Sequence, residues 1–186
     1  MKKAALILAP GFEEGEALTI ADILRRAEFG CDLVGFASVV EGAHGISVQC
    51  DRLLAADVAE YDMVILPGGY GGAAAMRDSD LVMQILKTMD QNNKYICAMC
   101  AAPIALERAG LLQGKNYTAY LGYDKKIKEG NYLEDKVVVD GHLVTSRGPA
   151  TAYAFAYKLV DLLGGDSLKV KNRTLYFHAF EVGEDE

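Results

Sequence analysis

Short apolar runs, each closed by a glycine- or proline-containing loop or a sharp turn and followed by a helical stripe, are the feature that most limits what this chain can fold into. Residues 4–9 run into Pro10-Gly11, residues 63–66 into Pro67-Gly68-Gly69, and residues 94–99 into Cys100-Ala101-Ala102-Pro103. Strands without polar alternation are buried on both faces, which calls for a mostly parallel sheet covered by helices above and below. The stretches between supply those helices. Ala17, Ile20, Ala21, Leu24 and Ala27 share one stripe of 14–27, and Val82, Ile85, Leu86 and Met89 one stripe of 81–89. Residues 150–163 form the cleanest amphipathic pattern, through Phe155, Ala156, Leu159, Val160 and Leu163, and Gly164-Gly165 ends it. Residues 31–36 read as a second strand, 46–50 as a short hairpin arm, and 137–146 as a β-hairpin turning at Asp140-Gly141.

The region 111–134 is less regular, with turn signals at Gly114, Gly122, Gly130 and Asn131. The aromatic stretch 175–180 is expected to dock on the domain or on a partner subunit, and 183–186 to be solvated. With no internal repeat and no linker, residues 1–186 read as a single α/β domain.

Composition narrows the function by exclusion. A chain of 186 residues with 51% hydrophobic and 24% charged residues is an ordinary globular protein with room for a full core. A formal charge of −7, with no dense stretch of Lys and Arg, gives no footprint for nucleic acid. No run approaches the ~18 apolar residues that span a bilayer, and the first apolar run is too short for a secretory signal. Four cysteines in strand-like contexts do not make a disulfide scaffold, so a reducing cytoplasm is the expected compartment.

Cys100 is the chemical focus. A side chain on a sharp strand-to-helix turn is pushed out of the sheet, and the unpaired N–H groups of the first helical turn favour negative charge beside it. A nucleophile elbow written with cysteine follows, with the thiolate favoured. Cys97, inside the strand, reads instead as a small buried hydrophobe.

Ligands of open α/β sheets bind at the carboxyl ends of the strands, beside a topological switch point. The loops at 10–16 and 67–72 and the Cys100 elbow all leave such ends, so they are expected to converge. Glu13 and Glu14 are explained by the favourable interaction of acids with a helix N-terminus. Glu16 lies deeper, beside Gly15 and Ala17, where its carboxyl could turn toward the thiol; buried there it would stay protonated and donate a hydrogen bond to the sulfur anion. Gly68 and Gly69 allow backbone N–H groups to approach a reacting carbonyl, and the N–H of Ala101 would be a further oxyanion donor. Arg147, between a hairpin and a helix, could hold a carboxylate or phosphate, or simply form a surface ion pair.

Histidine is scarce, and His44, His142 and His178 all fall in positions that do not suggest pairing with Cys100. The spacing Cys97-Ala98-Met99-Cys100 matches C-x-x-C, but with one sulfur inside the strand it is a poor redox pair. The few histidines and the cysteine spacing argue against a metal site.

Ala9-Pro10-Gly11-Phe12-Glu13-Glu14-Gly15-Glu16, Leu66-Pro67-Gly68-Gly69, Ala98-Met99-Cys100-Ala101-Ala102-Pro103 and Thr145-Ser146-Arg147-Gly148-Pro149 together resemble the ThiJ/PfpI superfamily, in the branch of the human Parkinsonism-associated deglycase and its bacterial relatives. The resemblance covers nearly the whole chain in order. It implies a flavodoxin-like three-layer sandwich, usually a homodimer, with a reactive, easily oxidised cysteine at the elbow. By position it makes Cys100 the nucleophile, Glu16 its protonated partner, and the Gly68, Gly69 and Ala101 amides the oxyanion cradle. Arg147 matches an anion-contacting arginine, and Arg52 one that approaches the neighbouring subunit's site. The implied activities are a cofactor-free, glutathione-independent glyoxalase or deglycase acting on small aldehydes, and a redox-regulated chaperone; other branches are amidases or peptidases, or carry a thiamine-biosynthesis label. Where some members have a histidine after the strand that follows the elbow helix, this chain reads Tyr117-Thr118-Ala119-Tyr120-Leu121, which argues against peptidase chemistry and leaves proton transfer mainly to Glu16.

Overall fold

A computed structural model describes residues 2–178. The expectations for 183–186, and for the last two residues of the aromatic stretch, lie outside that range. In chain order the elements are β1 (Lys3–Leu8), α1 (Glu14–Arg26), β2 (Gly30–Gly35), β3 (Val39–Glu41), β4 (Ser47–Gln49), β5 (Arg52–Leu53), β6 (Met63–Leu66), α2 (Tyr70–Asp78), α3 (Asp80–Gln91) and β7 (Tyr95–Met99). They continue with α4 (Pro103–Arg108), β8 (Asn116–Tyr117), β9 (Asn131–Tyr132), β10 (Val137–Asp140), β11 (Leu143–Ser146), α5 (Ala152–Leu162) and α6 (Ser167–Arg173).

The main sheet has seven strands in the order β10-β11-β7-β6-β1-β2-β5. Every neighbouring pair is parallel except the β10–β11 hairpin. β1 and β6 are buried along almost their whole length, as unbroken apolar runs between two helical layers must be. The architecture is the expected α/β, flavodoxin-like sandwich. Chain order reverses at β1, which has β2 on one side and β6 on the other. The carboxyl ends of β1, β6 and β7 are therefore adjacent, and the loops that leave them meet.

Those loops are joined backbone to backbone. Glu13 N–H donates to Gly68 O at 2.9 Å and Gly72 N–H to Gly11 O at 3.1 Å. The approach is close enough to demand glycine: a Cβ on Gly69, whose φ is +85°, would overlap Gly11 O, and one on Gly72 would sit 2.8 Å from Phe12 Cα. This packing also explains the largest departure from the sequence reading. The glycines after β6, expected as a loop through residue 72, open helix α2, whose weak intrinsic propensity is overridden by tertiary contact. Helix α6 and the short pairs β5 and β8–β9 are likewise additional to the expected elements. The 150–163 pattern begins as a 3₁₀ turn at Pro149–Thr151 before becoming α5.

No helix among the described residues is long and apolar enough to cross a membrane.

Candidate active site

Cys100 sits at φ +60°, a left-handed conformation that a non-glycine residue adopts at a cost of about 1–2 kcal/mol. The turn is held from both sides. Cys100 N–H donates to Ser146 O on β11 at 3.0 Å, and Tyr120 N–H donates to Cys100 O at 2.8 Å. Pro103 at the start of α4 needs no N–H there, so the elbow can close tightly. The side chain is 7% exposed, whereas Cys97 is fully buried in β7. All four cysteines are free.

Glu16, in the first turn of α1, is completely buried. Its Oε2 accepts from Gly68 N–H at 2.6 Å, and its Oε1 accepts no hydrogen bond from the protein. The sulfur and this carboxyl share one small space. A Cβ on Gly68 would lie 2.8 Å from both Cys100 Sγ and Glu16 Oε2, so only glycine permits their proximity. Burial raises the Glu16 carboxyl from 4.5 to about 7; the Gly68 N–H and the Cys100 side chain pull it down, and the Glu13 carboxylate pushes it further up.

The sulfur departs from the sequence reading. Burial pushes the Cys100 thiol well up, and the Glu16 carboxyl adds to this, while the N–H groups of Gly69 and Ala101 pull the other way. The elbow amides are where expected, but enclosure outweighs them. Near neutral pH the thiol therefore keeps its proton while the Glu16 carboxyl is part-way through its titration, so the pair holds between one and two protons. Gly68 also departs from expectation, because its N–H is directed to Glu16; Gly69 and Ala101 carry the N–H groups that face sulfur.

A cavity of ≈ 360 Å³ opens on the sulfur, walled by Glu13, His44, Gly69, Tyr70, Tyr120 and Pro149. Tyr70 and Tyr120 meet edge to face at 6.2 Å, and both rings approach Tyr123. Arg147 lies outside this cavity. It borders an adjoining groove that shares Tyr120 and Pro149, with its guanidinium 3.3 Å from Glu134 O and 3.4 Å from the Tyr132 hydroxyl. Arg52 is farther away, on the edge strand β5, where it pairs with Asp57 at 2.6 Å. Within one chain neither arginine reaches Cys100.

His44 is the residue that sequence reasoning missed. It lies in the turn between β3 and β4, which folds over the start of α1, and Ala43 N–H donates to Phe12 O at 2.8 Å. Glu14, expected only as an acid favoured by the helix N-terminus, is 3% exposed. It accepts from His44 N–H at 2.7 Å and Ile46 N–H at 3.3 Å, with Oε2 2.9 Å from His44 Nδ1. Burial pushes the Glu14 carboxyl up, but the imidazole and the N–H donors outweigh it and hold it below the ordinary range. Glu13, Glu14 and His44 bring potential metal-ligand atoms within 4.8 Å of one another, although the Glu14 oxygens are already engaged in these hydrogen bonds.

A cysteine on a strained elbow, facing a buried carboxyl at the switch point of a parallel sheet, defines a thiol-centred site of the α/β sandwich class. Comparison with known proteins makes this specific. Residues 2–162 match the DJ-1/PfpI family, and the chain belongs to that family. It is 40% identical over 169 residues to protein dj-1beta of Drosophila melanogaster, covering 88% of this chain and 90% of that protein. It is 34% identical over 170 residues to the glutathione-independent glyoxalase DJR-1.2 of Caenorhabditis elegans, with 88% and 90% covered. The crystal structure of Drosophila DJ-1beta superposes with a TM-score of 0.89, over 94% of this chain and 98% of that one at 40% identity.

Proposed function

We propose that the protein is a cysteine-dependent, cofactor-free enzyme that converts small 2-oxoaldehydes into 2-hydroxy acids. The observation that carries this reading is the buried carboxyl of Glu16, near neutrality in its titration, against Cys100 in an open cavity. The sulfur adds to the aldehyde carbon as the thiol proton passes to the carbonyl oxygen, giving a hemithioacetal, with Gly69 and Ala101 N–H supporting the developing oxyanion. Glu16 takes the proton from the carbon bonded to sulfur and returns it to the adjacent carbon, while the hemithioacetal O–H proton passes to the ketone oxygen, so that the ketone becomes an alcohol and the hemithioacetal a thioester. Water cleaves the thioester, releasing the 2-hydroxy acid and restoring the thiol. The glyoxalase name of the C. elegans relative supports the substrate class.

Arg147 is assigned to anionic substituents that extend into the adjoining groove. A cytoplasmic homodimer in which Arg52 serves the neighbouring copy completes the proposal, supported by exposed apolar side chains at Val39 and Ile46 in the β3–β4 hairpin and at Leu53 beside Arg52 on β5. The test is lactate formation from methylglyoxal without glutathione. Full activity in Cys100→Ser would refute the reading.

One observation favours a second reading, a redox-sensing or chaperone-like role. Cys100 opens onto a cavity while Cys97 and Cys31 are sealed in the core, so of these three an oxidant meets Cys100 first, with the half-buried Cys50 as the competing thiol. A crystal structure of Toxoplasma gondii DJ-1 that superposes with a TM-score of 0.89, at 33% identity over 97% of this chain and all of that one, is of the oxidized protein. A stable gain of two oxygens at Cys100 with negligible aldehyde turnover would select the sensor. Amidase or peptidase chemistry is less favoured, since no histidine hydrogen-bonds Cys100 among the described residues, and nothing in the site speaks for thiamine biosynthesis.

A further inference from the structure

The cavity carries a second acid–base assembly that the aldehyde steps leave unused. Glu14 fixes both the backbone and the ring of His44. Room for its carboxylate is made by Gly42, where a Cβ would overlap Glu14 Cδ and Oε1. Fastening the hairpin requires only the N–H groups of His44 and Ile46; it does not require an imidazole on the cavity wall. With the Nδ1 proton directed at Glu14, Nε2 carries the lone pair, and it has no hydrogen-bond partner among the described residues. The two acid–base groups also differ in access. Glu16 is wholly enclosed, while the His44 side chain is 67% exposed and lines the cavity beside Cys100. The cavity that opens on the sulfur is thus walled on one side by an exposed imidazole.

We infer that Glu14 and His44 form a carboxylate–imidazole dyad that activates the water cleaving an acyl group from Cys100. This rests on Cys100 being the nucleophile. Water oxygen bonds to the acyl carbon as its proton moves to His44 Nε2. The carbon–sulfur bond then breaks with its electron pair going to Cys100, and the Nε2 proton returns to sulfur; the products are a carboxylic acid and the free thiol. Glu16 is left to the carbon-to-carbon proton transfer. The groups around the imidazole are Glu13, at 3.6 Å, Glu14 at the start of α1, and, across the shared cavity, Tyr70 from α2, Tyr120 from the segment after β8, and Cys100. The hydrogen bond to Glu14, followed by the charge on Glu13, raises the imidazole above its ordinary range, so the basic form fills on the alkaline side of that range.

p-Nitrophenyl acetate tests the dyad without using the aldehyde reaction. Acylation of the intact enzyme releases a stoichiometric burst of nitrophenolate, and the later decay of acetyl-Cys100, followed by intact mass, reports hydrolysis alone. His44→Gln, a change at an exposed side chain, should keep the burst, slow hydrolysis about 100-fold, lose its sigmoidal rise with pH and regain rate with added imidazole. Glu14→Gln should move the midpoint of that rise to lower pH. If His44→Gln hydrolyses acetyl-Cys100 at the wild-type rate with an unchanged pH profile, the dyad is rejected while aldehyde turnover stands. If wild-type enzyme gives no burst, Cys100 is not the nucleophile and both proposals fall.

Discussion

Replacing Glu16 with glutamine should make the protein more stable at neutral pH while disabling it. In the unfolded chain the carboxyl titrates near 4.5, and in the folded protein burial moves it to about 7. A raised carboxyl favours folding below 4.5 relative to higher pH: between 4.5 and 7 the unfolded state ionises while the folded state does not, and stability falls. At 1.36 kcal/mol for each pH unit of separation, the wild-type protein loses about 3 kcal/mol across that window from this group alone. Glutamine does not titrate, keeps an oxygen to accept from Gly68 N–H, and is close in volume. Urea unfolding of both proteins at pH 4, 5, 6, 7 and 8, at one protein concentration, gives the difference between them, in which shared contributions such as the lowered Glu14 and raised His44 cancel. The difference should grow by about 3 kcal/mol in favour of Glu16→Gln from pH 4 to 8 and level off above 7. Curves that stay parallel to within about 0.5 kcal/mol, the usual error of additivity, would show that Glu16 is not a buried, neutralised acid, and the proton-transfer role assigned to it would fail as well.

Gly68→Ala should lower aldehyde turnover by at least about 100-fold and cost about 1–3 kcal/mol in urea unfolding, since the added methyl enters the space shared by Sγ and the carboxyl. Mild peroxide should oxidise Cys100 before Cys97, read by peptide mass, because Cys97 is fully buried; equal modification of both would contradict the placement. Gly42→Ala should displace Glu14 from His44, and NMR titration should then find the imidazole midpoint lowered toward that of a free histidine.

The elbow, the sheet and the convergence of three loops are legible in the chain because each is written locally. An apolar run followed by Pro10-Gly11 or Pro67-Gly68-Gly69 marks a buried strand and the loop at its end, and three such ends in a parallel sheet lie at one edge. Glu16 is legible for the same reason, since its position in the first turn of α1 follows from where β1 stops. What escaped depends on contacts between distant segments. Helix α2 begins among glycines that no propensity favours, and it forms because the 10–13 loop packs on Gly71 and Gly72. His44 looked remote until the hairpin folded over α1, an event encoded jointly by a buried Glu14 and a missing side chain at residue 42. The upward shift of the thiol was equally hidden: the turn's amide N–H groups could be read from sequence, the enclosure around them could not.

Glu16 and Gly68 are 52 residues apart in sequence, and the thiol they surround comes later still, from another strand. A nascent or loosened chain therefore holds an ordinary cysteine, and its distinctive chemistry appears only when β1, β6 and β7 have zipped side by side. Alkylation kinetics at this sulfur thus report when these three strands have come together.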